Sequence, residues 1–504
     1  MPETPDSPVT RKSSITQHTL SLGEQQISYT AIAEWQTLFE DEKPVAEMFH
    51  VAYLADVKEA SQRPLTFVFN GGPGAASAYL HMGALGPKRV YFAANGNLPK
   101  PPVRVVDNVE SWLSFTDLVF IDPIGTGFSR GLPQDKEDRD KQSEKTNTPE
   151  ADKPKEIEFW EVERDLKALG EFIQRFLSGH KRWLSPIFIA GESYGGFRVA
   201  RLASKLQQEF GVGLSGAILI SPALEFSLLE GSDYNLTAWA TLIPSFAAAA
   251  AHHNRVQWAG EPGNLQAHIA AAERFARATL IPLLAMGDTV TSDERQIAYE
   301  QLAGLIGLPV TFVERKAGRI SIEDFARELL RDEERIVGLY DASITAIDPF
   351  PDRATYEGTD PTLDGLDRLF TGAINSHLRD TLGVETDLSY RLLNLETFNA
   401  WKFDVKSEFQ QGFLGSVFLG SVDDLRVGMA LNPYMQVYIA HGLFDLVTHY
   451  FASKHLADLM KLNPEIRPNL SVKYFQGGHM FFTWDESRSS WLAQMKAFYQ
   501  NATV

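Results

Sequence analysis

The chain has 504 residues, 44% hydrophobic and 22% charged, the composition of a globular protein with a sizeable core, and not of a fibrous or disordered one. With 65 acidic against 47 basic side chains, its formal charge of −18 repels phosphate backbones and anionic lipid headgroups, so neither nucleic acid nor a membrane surface is an expected partner. It contains no cysteine, which removes disulfides, thiolate metal sites and cysteine nucleophiles together and leaves the redox compartment open.

Met1 to Leu20 mixes Pro, Ser, Thr, Lys and Arg without an apolar segment, so it does not read as a secretory leader. Residues 1–18 are expected to be a flexible tail. The compartment is cytoplasmic as written, or periplasmic or secreted if a leader has been removed. No run approaches the roughly 18 consecutive apolar residues of a membrane helix. The nearest is Phe246 to Ala251, and a soluble protein is expected.

From Thr19 to Val57, short alternating runs such as Gln26-Ile27-Ser28-Tyr29 predict antiparallel edge strands with one wet face. Fully apolar runs follow at Leu65–Phe69, Leu118–Ile121, Ile187–Ala190 and Ala217–Ile220, separated by amphipathic stretches. That texture predicts a buried parallel sheet in an α/β fold. Residues 134–156 are almost entirely charged or small and polar, and are expected to be a solvated loop. Between Phe159 and Leu177, the spacing of Val162, Leu166, Leu169, Phe172 and Phe176 predicts a helix.

From about residue 224 to 398 the alternation stops and helical patterns take over, including Ile322–Ile336 and Leu363–Leu382. Val437–Ala440 and Val472–Phe475 then resume the strand texture. The organisation predicted is one α/β core, residues 19–223 and 399–504, interrupted by a mainly helical cap insertion, 224–398.

Strand-like Ile187–Ala190 runs into Gly191-Glu192-Ser193-Tyr194-Gly195 and then into a helical stretch. A G-x-S-x-G sequence between strand and helix is a nucleophile elbow, the mark of the α/β-hydrolase fold, in which a strained turn presents the serine hydroxyl. A chance loop of the same sequence is the bland alternative. A serine hydroxyl needs a base, and the base needs an acid to fix its tautomer, in the chain order Ser, Asp or Glu, His. Of the 12 histidines, His479 is the best placed, after the strand Val472–Phe475. Asp445, on the loop after Val437–Ala440, fits the acid. His441 and His449 flank it, but without cysteine or an H-E-x-x-H helix they read as ordinary loop residues, and neither a metal nor another cofactor is expected.

Asn70-Gly71-Gly72-Pro73-Gly74 follows the first apolar strand. A phosphate cradle lacks its lysine and spacing here. An oxyanion hole fits better, with backbone N–H groups from Gly72 and Tyr194.

With Asp122 to Ser129, Gly442-Leu443-Phe444-Asp445 and Gly478-His479-Met480 added in this order, the chain resembles the serine carboxypeptidase family, in a version without disulfides. The resemblance implies release of C-terminal amino acids from peptides through an acyl-enzyme, favoured at acidic pH. It also implies that Asn70 and Glu192 bind the substrate's terminal carboxylate, since two carboxyl groups approach by sharing a proton. Ala75 stands where many members have cysteine. Ala84, before Leu85-Gly86-Pro87, stands where many have a second carboxylate-binding glutamate, so the carboxylate site is thinner than the family's.

Arg198 could supply charge to that carboxylate or form a plain salt bridge. Tyr234, Asn235, Leu236 and Trp239 could line the cleft or fill the cap's core. The leading expectation is a serine carboxypeptidase acting on peptides as a monomer or homodimer. Ala84 motivates an alternative, an esterase or acyltransferase with the same triad. A non-catalytic binding protein on the same fold is the third reading, opposed by the complete triad.

Overall fold

The computed structural model describes residues 11–132, 158–356, 358, 360–403 and 420–503. The expected solvated loop, 134–156, lies outside them. The chain divides into two compact units, one drawn from Met1–Val90, Val103–Ile189 and Phe370–Val405, the other from Tyr91–Pro102, Ala190–Leu369 and Lys406–Val504.

In the first unit, Ser14–Leu22, Gln25–Glu40 and Lys43–Ala55 form an antiparallel meander. Lys43–Ala55 also pairs antiparallel with Asp117–Ile121, which lies parallel to Leu65–Phe69. Both of these last strands are buried along their whole length, which is why they read as unbroken apolar runs. The helix Val162–Gly179 buries Leu166, Leu169, Phe172 and Phe176 on one stripe.

The antiparallel start is earlier than expected. Ser14 to His18 pair with Ala33 to Tyr29, so the strand reaches into the stretch read as a tail. The reason is the length of Gln25–Glu40, whose 16 residues offer a ladder that polar residues can join through backbone alone.

In the second unit, Gly216–Ile220, Gln436–Gly442 and Leu470–Phe475 are parallel in that order. Strand Ile187–Glu192 carries the chain from the first unit into the second. The parallel sheet with antiparallel N-terminal edge strands is the α/β-hydrolase arrangement expected. Between Gly216–Ile220 and Gln436–Gly442 lie helices Leu236–His252, Leu265–Phe275, Ser292–Ile306 and Ile322–Glu328. They share a core in which Ala247 to Ala250 let the chains approach and Phe246 stacks on Phe325 with ring centres 4.2 Å apart.

The helix expected over Ile322–Ile336 stops at Glu328 and gives way to a short strand, Arg335–Val337, after Glu334 in left-handed backbone. Arg327 decides this: its guanidinium is buried against Asp348 and the carbonyls of Phe350 and Arg353, which turns the chain back. Leu363–Ser376 is helical as expected, with one wider turn to Thr381. Phe370 to Val405 group with the first unit, not with the cap helices. Among the described residues no helix is long and apolar enough to cross a membrane.

Candidate active site

The nucleophile elbow is present in the second unit. Ser193 sits between strand Ile187–Glu192 and helix Tyr194–Glu209 with φ 62° and ψ −124°, a conformation that costs a non-glycine residue about 1–3 kcal/mol. The surrounding backbone holds it there: Ser193 N–H donates to the Ile220 carbonyl at 2.9 Å, and the Ser193 carbonyl accepts from Gly196 and Ala223 at 2.9 and 3.1 Å. Glycine is required on both sides. A Cβ on Gly191 would lie 2.2 Å from the Gly195 carbonyl oxygen, and one on Gly196 2.3 Å from Pro222 Cβ. Tyr194 is the first residue of helix Tyr194–Glu209.

Asp445 and His479 are both buried, and Asp445 Oδ2 lies 2.8 Å from His479 Nδ1. The carboxylate is saturated. Val447 and Thr448 N–H donate to Oδ1 at 2.9 and 3.0 Å, and the Thr448 hydroxyl lies 2.8 Å from Oδ2 and 3.0 Å from His479 Nδ1. Such a carboxylate accepts the Nδ1 proton and leaves Nε2 as the basic nitrogen. Burial pushes the Asp445 carboxyl up, but the facing His479 charge and these hydrogen bonds bring it below its ordinary value. Burial pulls His479 down, and Asp445, with a smaller contribution from Glu192, raises it above its ordinary value. Ser193 is half-buried.

The two loops bearing Asp445 and His479 are tied to one another. Leu443 N–H donates to Phe475 and Phe444 N–H to Gly477, both at 2.9 Å. Ser221 adds a second tie, its hydroxyl donating to the His479 carbonyl at 2.8 Å and its own carbonyl accepting from Thr448 Oγ1 at 2.9 Å. Sequence reasoning missed Thr448 and Ser221. Thr448 had a signal, since a hydroxyl three residues after an aspartate can close the turn on its carboxylate; Ser221, at the end of another strand, had none.

Glu192 is buried immediately before the serine. Asn70 and Gly72 belong to the first unit. Asn70 is buried and its Oδ1 accepts from Leu80 N–H at 3.1 Å. Gly72 has φ 97°, and a Cβ there would lie 2.7 Å from Gly74 N, so only glycine fits. Asp122 braces the same loop: its Oδ1 accepts from both Ser77 N–H and Ser77 Oγ at 2.9 Å. A Cβ on Gly127 would fall 1.8 Å from Asp122 Oδ2, which explains the glycine in that motif. Ala75 and Ala84 are buried.

Other candidates take structural places. His441 Nε2 bonds to Ser453 Oγ at 2.8 Å and His449 Nε2 to Thr241 Oγ1 at 2.9 Å. Burial lowers both rings, to about 3 and about 4. Among the described residues no group of three or more His, Asp or Glu is arranged to hold a metal. Arg198 is buried with its guanidinium 4.9 Å from the Tyr194 ring centre. Tyr234 is 95% exposed, Asn235 begins helix Leu236–His252, and Trp239 Nε1 donates to the Ser232 carbonyl at 2.9 Å. Leu236 and Trp239 are partly buried and pack against the cap core that contains Phe246 and Phe325.

Residues 37–225 match the family model of the serine carboxypeptidases. That stretch is similar to the serine carboxypeptidase family. It contains Asn70, Gly72, Glu192 and Ser193, and ends before Asp445 and His479. Serine carboxypeptidase-like 13 of Arabidopsis thaliana is 27% identical over 185 residues, 36% of this chain and 37% of its own. The pheromone-processing carboxypeptidase KEX1 of Yarrowia lipolytica is 29% identical over 169 residues, 32% of this chain and 22% of its own. The chain thus spans about a third or less of these two relatives. Among solved structures, the proline iminopeptidase of Mycobacterium smegmatis aligns over 97% of this chain and 99% of its own, at 13% identity and a TM-score of 0.34.

Proposed function

We propose that the protein is a serine-type carboxypeptidase that releases C-terminal amino acids from peptides. The observation that carries the reading is the strained Ser193 elbow in the same unit as the hydrogen-bonded Asp445–His479 pair, within a chain whose residues 37–225 match the serine carboxypeptidase family. Ser193 attacks the carbonyl of the last peptide bond while His479 Nε2 takes its proton. Asp445 stabilises the imidazolium that results. The N–H groups of Gly72 and Tyr194 receive the oxyanion, and His479 then passes its proton to the departing amino acid. Water, activated by the same base, releases the peptide from Ser193.

Recognition of the terminus is assigned to Asn70 and Glu192. A protonated Glu192 can donate to the substrate carboxylate, whereas an ionised one repels it, so this recognition weakens as pH rises. An esterase or acyltransferase role for the same triad is favoured by one observation, the buried alanine at position 84.

Paired peptides with free and amidated C-termini, incubated from mildly acidic to neutral pH beside a Ser193→Ala control, test the reading. Release of single residues from the free peptide alone, lost in the control, is expected. Serine-dependent turnover indifferent to amidation would overturn the substrate class, and absence of any serine-dependent turnover would overturn the activity.

A further inference from the structure

Residues 339–342 belong to the insertion between strands Gly216–Ile220 and Gln436–Gly442, and they hydrogen-bond to the loops of both the acid and the base. Leu339 accepts from Leu446 N–H at 3.1 Å, and Ala342 N–H donates to the Phe444 carbonyl at 2.9 Å, so these two residues bracket Asp445. Between them, the Tyr340 carbonyl accepts the His479 N–H at 2.6 Å, and Asp341 Oδ2 accepts the Gly478 N–H at 3.0 Å. The Tyr340 ring meets the His479 ring edge-on, 5.2 Å between centres at 89°.

The segment is itself anchored from behind. Leu339 N–H donates to Asp360 Oδ2 at 2.5 Å and Tyr340 N–H to Thr362 Oγ1 at 3.2 Å. Asp341 is buried and receives four donors: Ser343 N–H at 3.0 Å and the Ser343 hydroxyl on Oδ1, and Gly478 N–H and Trp484 Nε1, the latter at 3.3 Å, on Oδ2. Burial pushes this carboxyl up to about 6 against the pull of those bonds. The approach is so close that glycine is required opposite. A Cβ on Gly478 would lie 2.0 Å from the Tyr340 carbonyl oxygen and 2.4 Å from Asp341 Cα.

We infer that residues 339–342 are a positioning strap of the active site, with Asp341 as its positioning residue: by holding Gly478 and His479 on one side and Phe444 and Leu446 on the other, the insertion sets the distance between base and acid. The inference rests on the triad reading. It adds that the insertion is required for the chemical step as well as for shaping a substrate cleft. Asp341 touches neither substrate nor the reacting atoms. It acts through the backbone of Gly478, whose displacement moves the His479 ring away from Asp445 and from the serine. A misplacement of about 1 Å in a catalytic group can cost on the order of 100-fold in rate.

The test uses the full-length protein and a fluorophosphonate probe, which reacts with an activated serine without needing any peptide terminus. The second-order labelling rate is measured against pH for wild type, Asp341→Ala and Asp341→Asn, beside thermal melting of each. Wild type is expected to label faster as His479 loses its proton. Asp341→Ala, which deletes all four acceptor contacts, is expected to label at least about tenfold more slowly, with its pH midpoint moved to lower pH because His479 loses part of its pairing with Asp445.

Asp341→Asn is isosteric and keeps one acceptor oxygen for Gly478, so it is expected to fold and to lose about threefold, between the other two proteins. Either folded variant labelling at the wild-type rate with the wild-type midpoint would overturn the strap. Failure of wild type itself to label, in folded protein, would instead overturn the triad reading on which the strap rests.

Discussion

The Thr448 hydroxyl oxygen lies 2.8 Å from Asp445 Oδ2 and 3.0 Å from His479 Nδ1, closing a buried triangle between the proposed acid and base. Its own carbonyl-directed bond to Ser221 at 2.9 Å ties that triangle to the strand end beside the elbow. Replacing Thr448 by valine keeps the shape and removes the hydroxyl. Activity on a peptide substrate is expected to fall about 3- to 10-fold in kcat with little change in KM, the loss of one hydrogen bond on a charged group. Steady-state kinetics checks this, and an unchanged kcat would show the hydroxyl to be idle.

Asp445→Asn presents an amide donor where His479 Nδ1–H needs an acceptor. It is expected to lower kcat by roughly 10⁴-fold by favouring the wrong tautomer while the fold is kept. Circular dichroism beside kinetics separates this from unfolding.

The backbone at Ser193 is held in a strained conformation, which the proposed nucleophile role would explain. Ser193→Gly should be inactive yet more stable than Ser193→Ala by about 1 kcal/mol, because glycine adopts φ 62° and ψ −124° without a Cβ penalty. Urea unfolding of the two variants measures the difference. Equal stability would mean that the elbow is relaxed.

The folded pKa of His479 is raised, with Asp445 the principal raising influence against burial, so its neutral, basic form is populated only as pH climbs above the ordinary histidine value of 6.5. Hydrolysis of a small ester without a carboxylate is therefore expected to increase with pH through that raised midpoint. On the proposed terminus recognition, which needs a proton shared between two carboxyl groups, a peptide with a free terminus should show its optimum at lower pH than the ester. Superimposable profiles for the two substrates would remove Glu192 from terminus recognition.

Glu225 lies in the second unit with its Oε2 2.1 Å from where a Gly420 Cβ would stand, and burial, with Asp423 and Asp424 adding to it, pushes its carboxyl up to about 7. A carboxyl raised from about 4.5 to about 7 holds its proton more tightly folded than unfolded, so its contribution is present at low pH and is lost as pH rises between those values. Glu225→Gln should remove that loss. The variant is expected to gain on the order of 2 kcal/mol relative to wild type on going from pH 5 to pH 8, read from denaturant midpoints at the two values.

Much of this protein was determined by the sequence alone. Strand patterning placed Leu65–Phe69, Asp117–Ile121, Ile187–Glu192, Gly216–Ile220, Gln436–Gly442 and Leu470–Phe475 to within two residues; the first five are buried almost throughout and so read as largely apolar runs, whereas Leu470–Phe475 is only partly buried. The elbow was legible because Gly191 is forced by contacts only four and eight residues away, with Gly195 and Val199. Asp445 and His479 could be chosen because each follows a recognisable strand.

What only the tertiary structure decided lies in contacts between distant segments. Asp341 is 137 residues from Gly478, Ser221 is 258 from His479, and Arg327 needs Asp348 and the carbonyls beyond it to end its helix. Polar side chains of this kind carry no periodic signature: an aspartate that will be buried reads in one dimension like any solvated one. Its role is fixed by which donors the fold brings to it, since burial without them would cost several kcal/mol.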